Sequence, residues 1–356
     1  MKKLKRIMMW TLIPIIIEMA ALLFMDKFYF NDELNFNIKK VDVSSKKEPN
    51  KINVKIPEDA KDIKISHSGE YISYYNGESL IVVDTSNNDK KEVTLADGNE
   101  LSYYTWFLDT NNILIAEKSI EGGDSYLKFE SYNPKKDATY TLKNEESNEE
   151  LSILLPDEEY EVKYIAFSGA SNVTYVSSGR EGARSRIYRV NIMNQMNLVN
   201  FVNCELGNIK AVNTKNGDEL IYEDRTYNRI RTGKGGVIAT GENAMHYLLN
   251  TDKENNVYIG NGDNNKINKI FVTNLQSTGT NWKIHALSEY IDKNNIHITR
   301  YGKIYIDDPV NSQVKEITTG EVTKYSGNLI AVYDYGVISE SDNKIRSSLF
   351  QSDTLK

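Results

Sequence analysis

The sequence contains one cysteine and four histidines in 356 residues, and both scarcities exclude classes of site. The single cysteine, Cys204, excludes an intramolecular disulfide framework and any Cys-x-x-Cys metal site, and we expect it to be a small buried apolar side chain. His67, His246, His285 and His297 lack the spacing of metal ligands, and no HExxH motif occurs. The sequence therefore implies no cofactor and no metal.

Signatures of catalysis and of nucleic-acid binding are also missing. There is no GxSxG motif, and "FSGASN" around Ser168 resembles one only superficially. The Asp- and Asn-rich turns lack the ligand spacing of an EF-hand, so they indicate ordinary turns. The net charge of −7 argues against nucleic acid as the main partner, because phosphate contacts need a basic surface.

The sequence has one long apolar run, near its N-terminus. Residues 7–25 carry one charge, Glu18, and a helix of this length spans about 28 Å, close to a bilayer's hydrocarbon core. Lys and Arg are concentrated ahead of the run, and no cleavage site follows it. We predict a single-pass cell-membrane protein with a cytoplasmic basic tail (1–6), an anchor (7–25), a stalk (26–50) and a C-terminal domain outside the cytoplasm.

Glu18 lies inside the predicted anchor, where a carboxylate is costly. It is either protonated or reached by water in a simple anchor, or it contacts a polar residue of another membrane protein. The Lys-, Asn- and Ile-rich composition suggests a low-GC bacterium with a Gram-positive type of envelope.

Helical periodicity is nearly absent beyond residue 62, where short β-branched and aromatic runs alternate with Asn, Gly, Asp and Ser. The segment "DIKISHSGEYISYYNGESLIVVDTSNNDKKEVTLA" predicts strands near 62–66, 71–76, 79–85 and 91–96. Similar units follow along the rest of the chain. The sequence predicts an all-β protein of repeated four-stranded meanders.

The repeat length decides how the meanders associate. The second strands begin near Tyr71, Ile113, Asn172, Glu219, Asn256, Lys303 and Val337, a mean spacing of about 44 residues, which is typical of β-propeller blades. The seventh unit has only three strands, and "NKINVKIPE" at residues 50–58 is an orphan strand that can complete it. We predict a seven-bladed propeller over 51–350, with a tail at 351–356. Six or eight blades are also compatible with the weaker fourth and sixth units.

The segments "ISHSGEYISYYNGESLIVVD" and "TDKENNVYIGNGDNNKI" carry a family resemblance. They resemble the TolB-like, YVTN and WD-repeat class of β-propellers, in which a turn follows the first strand and an Asp often ends the third. The regular WD dipeptide and the Gly-His pair are missing, and the Asp at 84 is not kept in every unit. The resemblance implies a fold, because propellers serve both as binding modules and as enzymes.

A basic patch is the one candidate site. Strand counting brings the loops "SSGREGARSR" and "EDRTYNR" of the third and fourth blades to one rim of the propeller. Guanidinium groups suit carboxylates and phosphates, and a tyrosine adds an aromatic face. By the same count, the acidic insertion "NEESNEELSILLPDEEYE" lies on this rim. The arginines therefore bind an anionic ligand, pair with the insertion, or are merely solvated. The candidate residues are Arg180, Arg184, Arg186, Arg225, Tyr227 and Arg229.

These features favour a non-catalytic binding or scaffold module for a cell-envelope protein or polysaccharide. The alternative is a hydrolase or lyase that acts on envelope glycan, since propellers also carry such enzymes. An axial pocket in which two carboxylates converge with a Tyr or Arg would favour the enzyme. The sequence shows no such cluster at its strand ends.

Overall fold

The computed structural model describes residues 18–20, 22, 51–169, 172–181, 183–202, 204–276 and 281–351. The chain divides into two units, residues 1–48 and 49–356. Within the described part of the chain, no helix is both long and apolar enough to span a bilayer. The predicted anchor at 7–25 and the stalk at 26–50 lie almost entirely outside the described residues, so both stay predictions.

The second unit consists of seven antiparallel sheets, each pairing its strands in the order of a meander. Among the described residues, seven buried apolar clusters hold these sheets together; six join sheets that are consecutive in the chain, and the seventh joins the last sheet to the first. The middle strands are buried almost continuously because neighbouring sheets cover both of their faces. The predicted seven-bladed β-propeller is confirmed, and six and eight blades are excluded.

The blades are numbered here in chain order, and the strands run from the inner to the outer position. Blade 1 contains β2 (Lys61–Ile65), β3 (Tyr71–Tyr75), β4 (Leu80–Asp84) and β5 (Lys90–Val93); blade 2 contains β6 (Glu100–Trp106), β7 (Ile113–Glu121), β8 (Asp124–Asn133), β9 (Ala138–Thr141) and β10 (Ser152–Leu154); blade 3 contains β11 (Glu161–Ser168), β12 (Val173–Gly179), β13 (Ser185–Val190) and β14 (Met196–Val202).

The second half of the ring follows the same pattern, with one short 3-10 helix at Lys293–Asn295. Blade 4 contains β15 (Leu206–Thr214), β16 (Gly217–Asp224), β17 (Arg229–Thr232) and β18 (Val237–Ile238); blade 5 contains β19 (Met245–Thr251), β20 (Asn256–Asp263), β21 (Lys266–Asn274) and β22 (Lys283–Asp292); blade 6 contains β23 (Ile296–Ile298), β24 (Ile304–Asp308), β25 (Gln313–Glu316) and β26 (Val322–Lys324); blade 7 contains β27 (Asn328–Tyr333), β28 (Gly336–Ser341) and β29 (Lys344–Leu349).

The ring is closed by its first strand, β1 (Asn53–Lys55), which is the outer strand of blade 7. It pairs antiparallel with β29, in a register that places Val54 opposite Ile345. Ile52, Val54 and Ile56 are all buried in the cluster between blades 7 and 1. The predicted closure by the orphan strand is therefore confirmed.

Blade 2 departs from the predicted meander, because β9 and β10 both pair with β8 and together form an interrupted fourth strand. The acidic residues 144–149 form an excursion between these two pieces. The backbone N–H of Glu145 donates to the Met193 carbonyl, and Asn194 donates to the Lys143 carbonyl. Since Met193 and Asn194 lie in the turn between β13 and β14, the first half of the acidic insertion is not on the predicted rim.

Alternation of strand direction gives the propeller two rims. Loops from the first to the second strand of each blade lie at one rim, called here the upper rim. Loops from the second to the third strand, and the connections between blades, lie at the opposite, lower rim. The loops that carry the predicted arginines belong to the lower rim.

Candidate ligand-binding rim

The predicted arginines of the lower rim line two neighbouring clefts rather than one patch. Arg180, Arg184 and Arg225 lie around a cleft of about 820 Å³ between blades 3 and 4, called here the 3/4 cleft. Tyr227 and Arg229 belong to a cleft of about 900 Å³ between blades 4 and 5, the 4/5 cleft. The loop between β16 and β17 separates the two.

In the 3/4 cleft, Arg180 forms ion pairs with the acidic insertion. Its Nε lies 3.0 Å from an Asp157 carboxylate oxygen, and its Nη1 lies 3.3 Å from Glu159. The guanidinium also lies over the ring of Tyr160, whose hydroxyl donates to the Arg184 carbonyl. The second half of the acidic insertion therefore anchors Arg180 and shapes the loop that presents Arg184.

Arg225 lies in the 3/4 cleft beside Gly207, and a larger residue at position 207 would force neighbouring side chains to move. A Cβ on Gly207 would lie 2.4 Å from a Glu223 carboxylate oxygen and 2.9 Å from the Arg225 Nε. The Arg225 Nη1 is 3.8 Å from Glu205, an exposed pair of small energetic value. Cys204 is half-buried in the wall of this cleft, and burial raises the pKa of its thiol to about 12.

Arg184 and Arg229 are exposed, and neither makes an ion pair with any residue in the described ranges. Arg186 lies on β13 and has an interaction of its own, so it is not an unpaired cation. The lower rim thus presents one unpaired guanidinium in each cleft.

The loop that carries Tyr227 is fixed by a buried carboxylate. Asp224 accepts a hydrogen bond from the Tyr227 backbone N–H at 3.1 Å and one from the Arg231 Nε at 2.7 Å. Asn228 then adopts a positive φ of 52°, which turns the chain into β17 at Arg229. Asp224 therefore positions both the aromatic ring and the guanidinium of the 4/5 cleft.

The 4/5 cleft also contains a polar network that the sequence did not predict. The Thr240 hydroxyl lies 2.7 Å from the His246 Nε2, and the buried Asn261 amide donates to Thr240 Oγ1 at 3.0 Å. Burial lowers the pKa of His246, so its ring is neutral near neutral pH. Glu242 accepts from Lys269 at 2.7 Å, and this contact lowers the pKa of the Glu242 carboxyl.

The upper rim uses its polar side chains to join blades. The side-chain oxygen of Asn213 in blade 4 accepts a hydrogen bond from Ser168 of blade 3, and the Asn213 backbone N–H donates to the side-chain amide oxygen of Asn255 in blade 5. The Arg300 backbone N–H of blade 6 donates to Asp334 of blade 7, and the Arg300 guanidinium reaches the Leu108 carbonyl of blade 2. These groups hold the ring together. Among the described residues, no three His, Cys, Asp or Glu side chains form a metal cluster.

No protein-family profile matches the chain. No curated protein matches it with significance. The structure is similar to that of the β-propeller domain of Cps50 (Swd1) from Myceliophteria thermophila, with 10% identity, a TM-score of 0.53, and coverage of 84% of this chain and 100% of that one. It also matches the CNH domain of AfRom2, with 12% identity, a TM-score of 0.44, and coverage of 84% and 95%. The first of these similarities shows that the chain has a β-propeller fold.

Proposed function

We propose that this protein is a membrane-anchored, extracytoplasmic β-propeller that acts as a non-catalytic binding or scaffold module for a cell-envelope protein or polymer. Its ligand-binding surface is the lower rim, and the ligand is anionic. The observation that carries the proposal is that Arg184 and Arg229, in adjacent clefts of an acidic protein, are exposed and have no ion pair with any described residue.

Two further features support a binding role at this rim. The clefts have volumes in the range of ligand sites, and their arginines are held on loops fixed by Asp224 and Asp157. At the upper rim, by contrast, Asn213, Asn255 and Asp334 are engaged in hydrogen bonds between blades.

Replacing both Arg184 and Arg229 with Ala is expected to abolish capture of the partner from solubilised membranes. The melting temperature should change by less than about 2 °C, because exposed cations without partners contribute little to stability. Binding by the wild type should weaken as salt is added, since such contacts are screened beyond about 8 to 10 Å. Cross-linking pull-downs with the wild type and the variant side by side measure the effect.

The matched control replaces Lys135 and Lys136 with Ala. These two exposed lysines lie in the β8–β9 loop at the upper rim, so the change in net charge is the same. We expect the control to capture the partner as the wild type does. Equal capture by the arginine variant would rule out the lower rim and direct attention to the upper rim or to Glu18.

The proposed anchor predicts that the propeller is accessible from outside the cell. Protease added to intact protoplasts is expected to degrade the propeller, while a cytoplasmic marker protein stays intact. The physical reason is the excess of Lys and Arg ahead of residues 7–25, which retains the N-terminus in the cytoplasm. Protection of the propeller, or its release into the medium with a new N-terminus near residue 25, would contradict the anchor.

A further inference from the structure

We propose that the 4/5 cleft is a saccharide subsite and that its ligand is a carboxylate-bearing polysaccharide. This inference rests on the proposed function of the lower rim and names the chemistry of the ligand. It follows from how the backbone places two tyrosines, several amides and one unpaired cation around a single open cleft.

A bulge between β21 and β22 builds one wall of the 4/5 cleft. Ile267 pairs with Ile291 and Lys269 pairs with Ala286, so residues 287–290 lie opposite the single residue Asn268. Asn268 is also skipped in the pairing of β20 with β21. Bulges of this kind redirect side chains, often beside binding sites. Here the bulge brings both Asn268 and Tyr290 to the cleft lining.

The strand beneath the bulge contains a glycine for a steric reason. A Cβ on Gly262 would lie 1.8 Å from the Lys266 carbonyl oxygen, so no side chain fits there. Gly262 itself lines the cleft, and because it has no side chain the Lys266 carbonyl can pack closely against it. Backbone atoms, and no apolar side chain, therefore form this part of the cleft lining.

Two tyrosines flank this surface and keep most of their area in solvent. Tyr227 is 61% exposed and Tyr290 is 60% exposed, although folding normally buries large aromatic side chains. A sugar ring has an apolar C–H face that packs on an aromatic ring. Its hydroxyls both donate and accept hydrogen bonds, as the amides of Asn228, Asn243 and Asn268 also do. This combination suits a saccharide better than an apolar protein surface.

The position of one cation in the cleft suits an acidic saccharide. Glu242 is neutralised by Lys269 at 2.7 Å. Asp263, at the end of β20, accepts a hydrogen bond from Asn264 at 3.2 Å but makes no ion pair within the described ranges, so a ligand carboxylate is placed at Arg229 and away from Asp263. Arg229 is the cation of this cleft that lacks an ion pair within the described ranges, and a guanidinium binds a carboxylate through two parallel hydrogen bonds. Arg229 is therefore assigned to the carboxylate of a uronic acid unit.

The experiment is calorimetric titration of the full-length protein in nanodiscs with uronate hexasaccharides. Three probes are used, built respectively from galacturonate, from mannuronate, and from alternating glucuronate and N-acetylglucosamine, each with its carboxyl-reduced form. We expect at least one uronate probe to bind in the micromolar to millimolar range and its reduced form to bind at least tenfold more weakly. Arg229→Gln should remove that difference, while Tyr227→Ala and Tyr290→Ala should each weaken both forms.

The control is Tyr140→Ala, which removes another exposed tyrosine from the outer strand of blade 2. It should leave the titration unchanged. The proposal is overturned if no uronate probe binds at millimolar concentration, or if Tyr227→Ala and Tyr290→Ala bind as the wild type does. If the probes fail while the Arg184 and Arg229 double variant still loses its partner, the lower rim remains the binding surface and only the saccharide assignment is wrong.

Discussion

Val54→Asp is expected to destabilise the propeller by more than about 3 kcal/mol, because it places an unpaired carboxylate in the closing contact between blades 7 and 1. Val54 is fully buried and packs with the cluster that holds β1 to its neighbours. In a propeller of this size the loss corresponds to a fall in melting temperature of at least about 5 °C. Thermal unfolding followed by circular dichroism measures it.

Lys55→Asp is the matched control for the closing strand. It introduces the same side chain one residue later in β1, but at an exposed position. We expect its melting temperature to stay within about 2 °C of that of the wild type. Equal destabilisation by the two variants would mean that burial in the 7/1 cluster does not hold the ring closed.

His297 is expected to make the propeller less stable as the pH falls. It lies on β23, its Nε2 is buried without a hydrogen-bond partner among the described residues, and burial lowers its pKa to about 4. In the unfolded chain the pKa of this histidine is near 6.5. Between pH 4 and pH 6.5 the unfolded state therefore binds more protons than the native state. The free energy of unfolding is therefore undiminished above pH 6.5 and falls as the pH drops towards 4, and the loss has reached about 2 kcal/mol at pH 5.

His297→Gln should flatten the dependence of melting temperature on pH between 7.5 and 5, relative to the wild type. The control is His285→Gln on the outer strand β22, where burial also lowers the pKa but the side chain is only half-buried. Its pH profile should stay close to that of the wild type. Parallel profiles for wild type and His297→Gln would show that protonation of His297 is not coupled to unfolding.

The fold could be predicted because each blade repeats one local pattern. Second strands expected to begin at Tyr71, Ile113 and Asn256 begin at those residues in the structure. Alternating side chains and Gly or Asn turns act within a few residues, so a single sequence contains the signal. The same count identified the orphan strand near 51–56 as the one that completes blade 7.

The interrupted strand of blade 2 was harder to predict from the sequence. The acidic residues 144–149 form a local excursion, and whether the chain returns to the same strand depends on its pairing with β8. Nothing in the local pattern reports that long-range pairing, so the insertion was wrongly assigned as a whole to the lower rim.

The candidate site was predicted only in part, for a related reason. The sequence identified the arginine loops, but it did not indicate that their arginines line two separate clefts. It also missed Tyr290, which lies on β22 beyond the bulge, where the strand continues to Asp292. The aromatic and β-branched pair in "SEYID" favours a strand, and this pattern was the signal that the strand extends to Tyr290. Nothing local indicates the 4/5 neighbours Thr240 and His246, which meet through tertiary packing.

The closing strand also has a consequence for how the chain folds. Ile52 and its partner Ser347 are 295 residues apart. At about 5 to 20 residues per second, a ribosome needs roughly 15 to 60 s to synthesise the partner after the strand itself. During this interval β1 is an unpaired edge that other chains can extend. Its outward positions carry Lys51, Asn53 and Lys55, while Val54 faces the core, so its charged face opposes aggregation until blade 7 is complete.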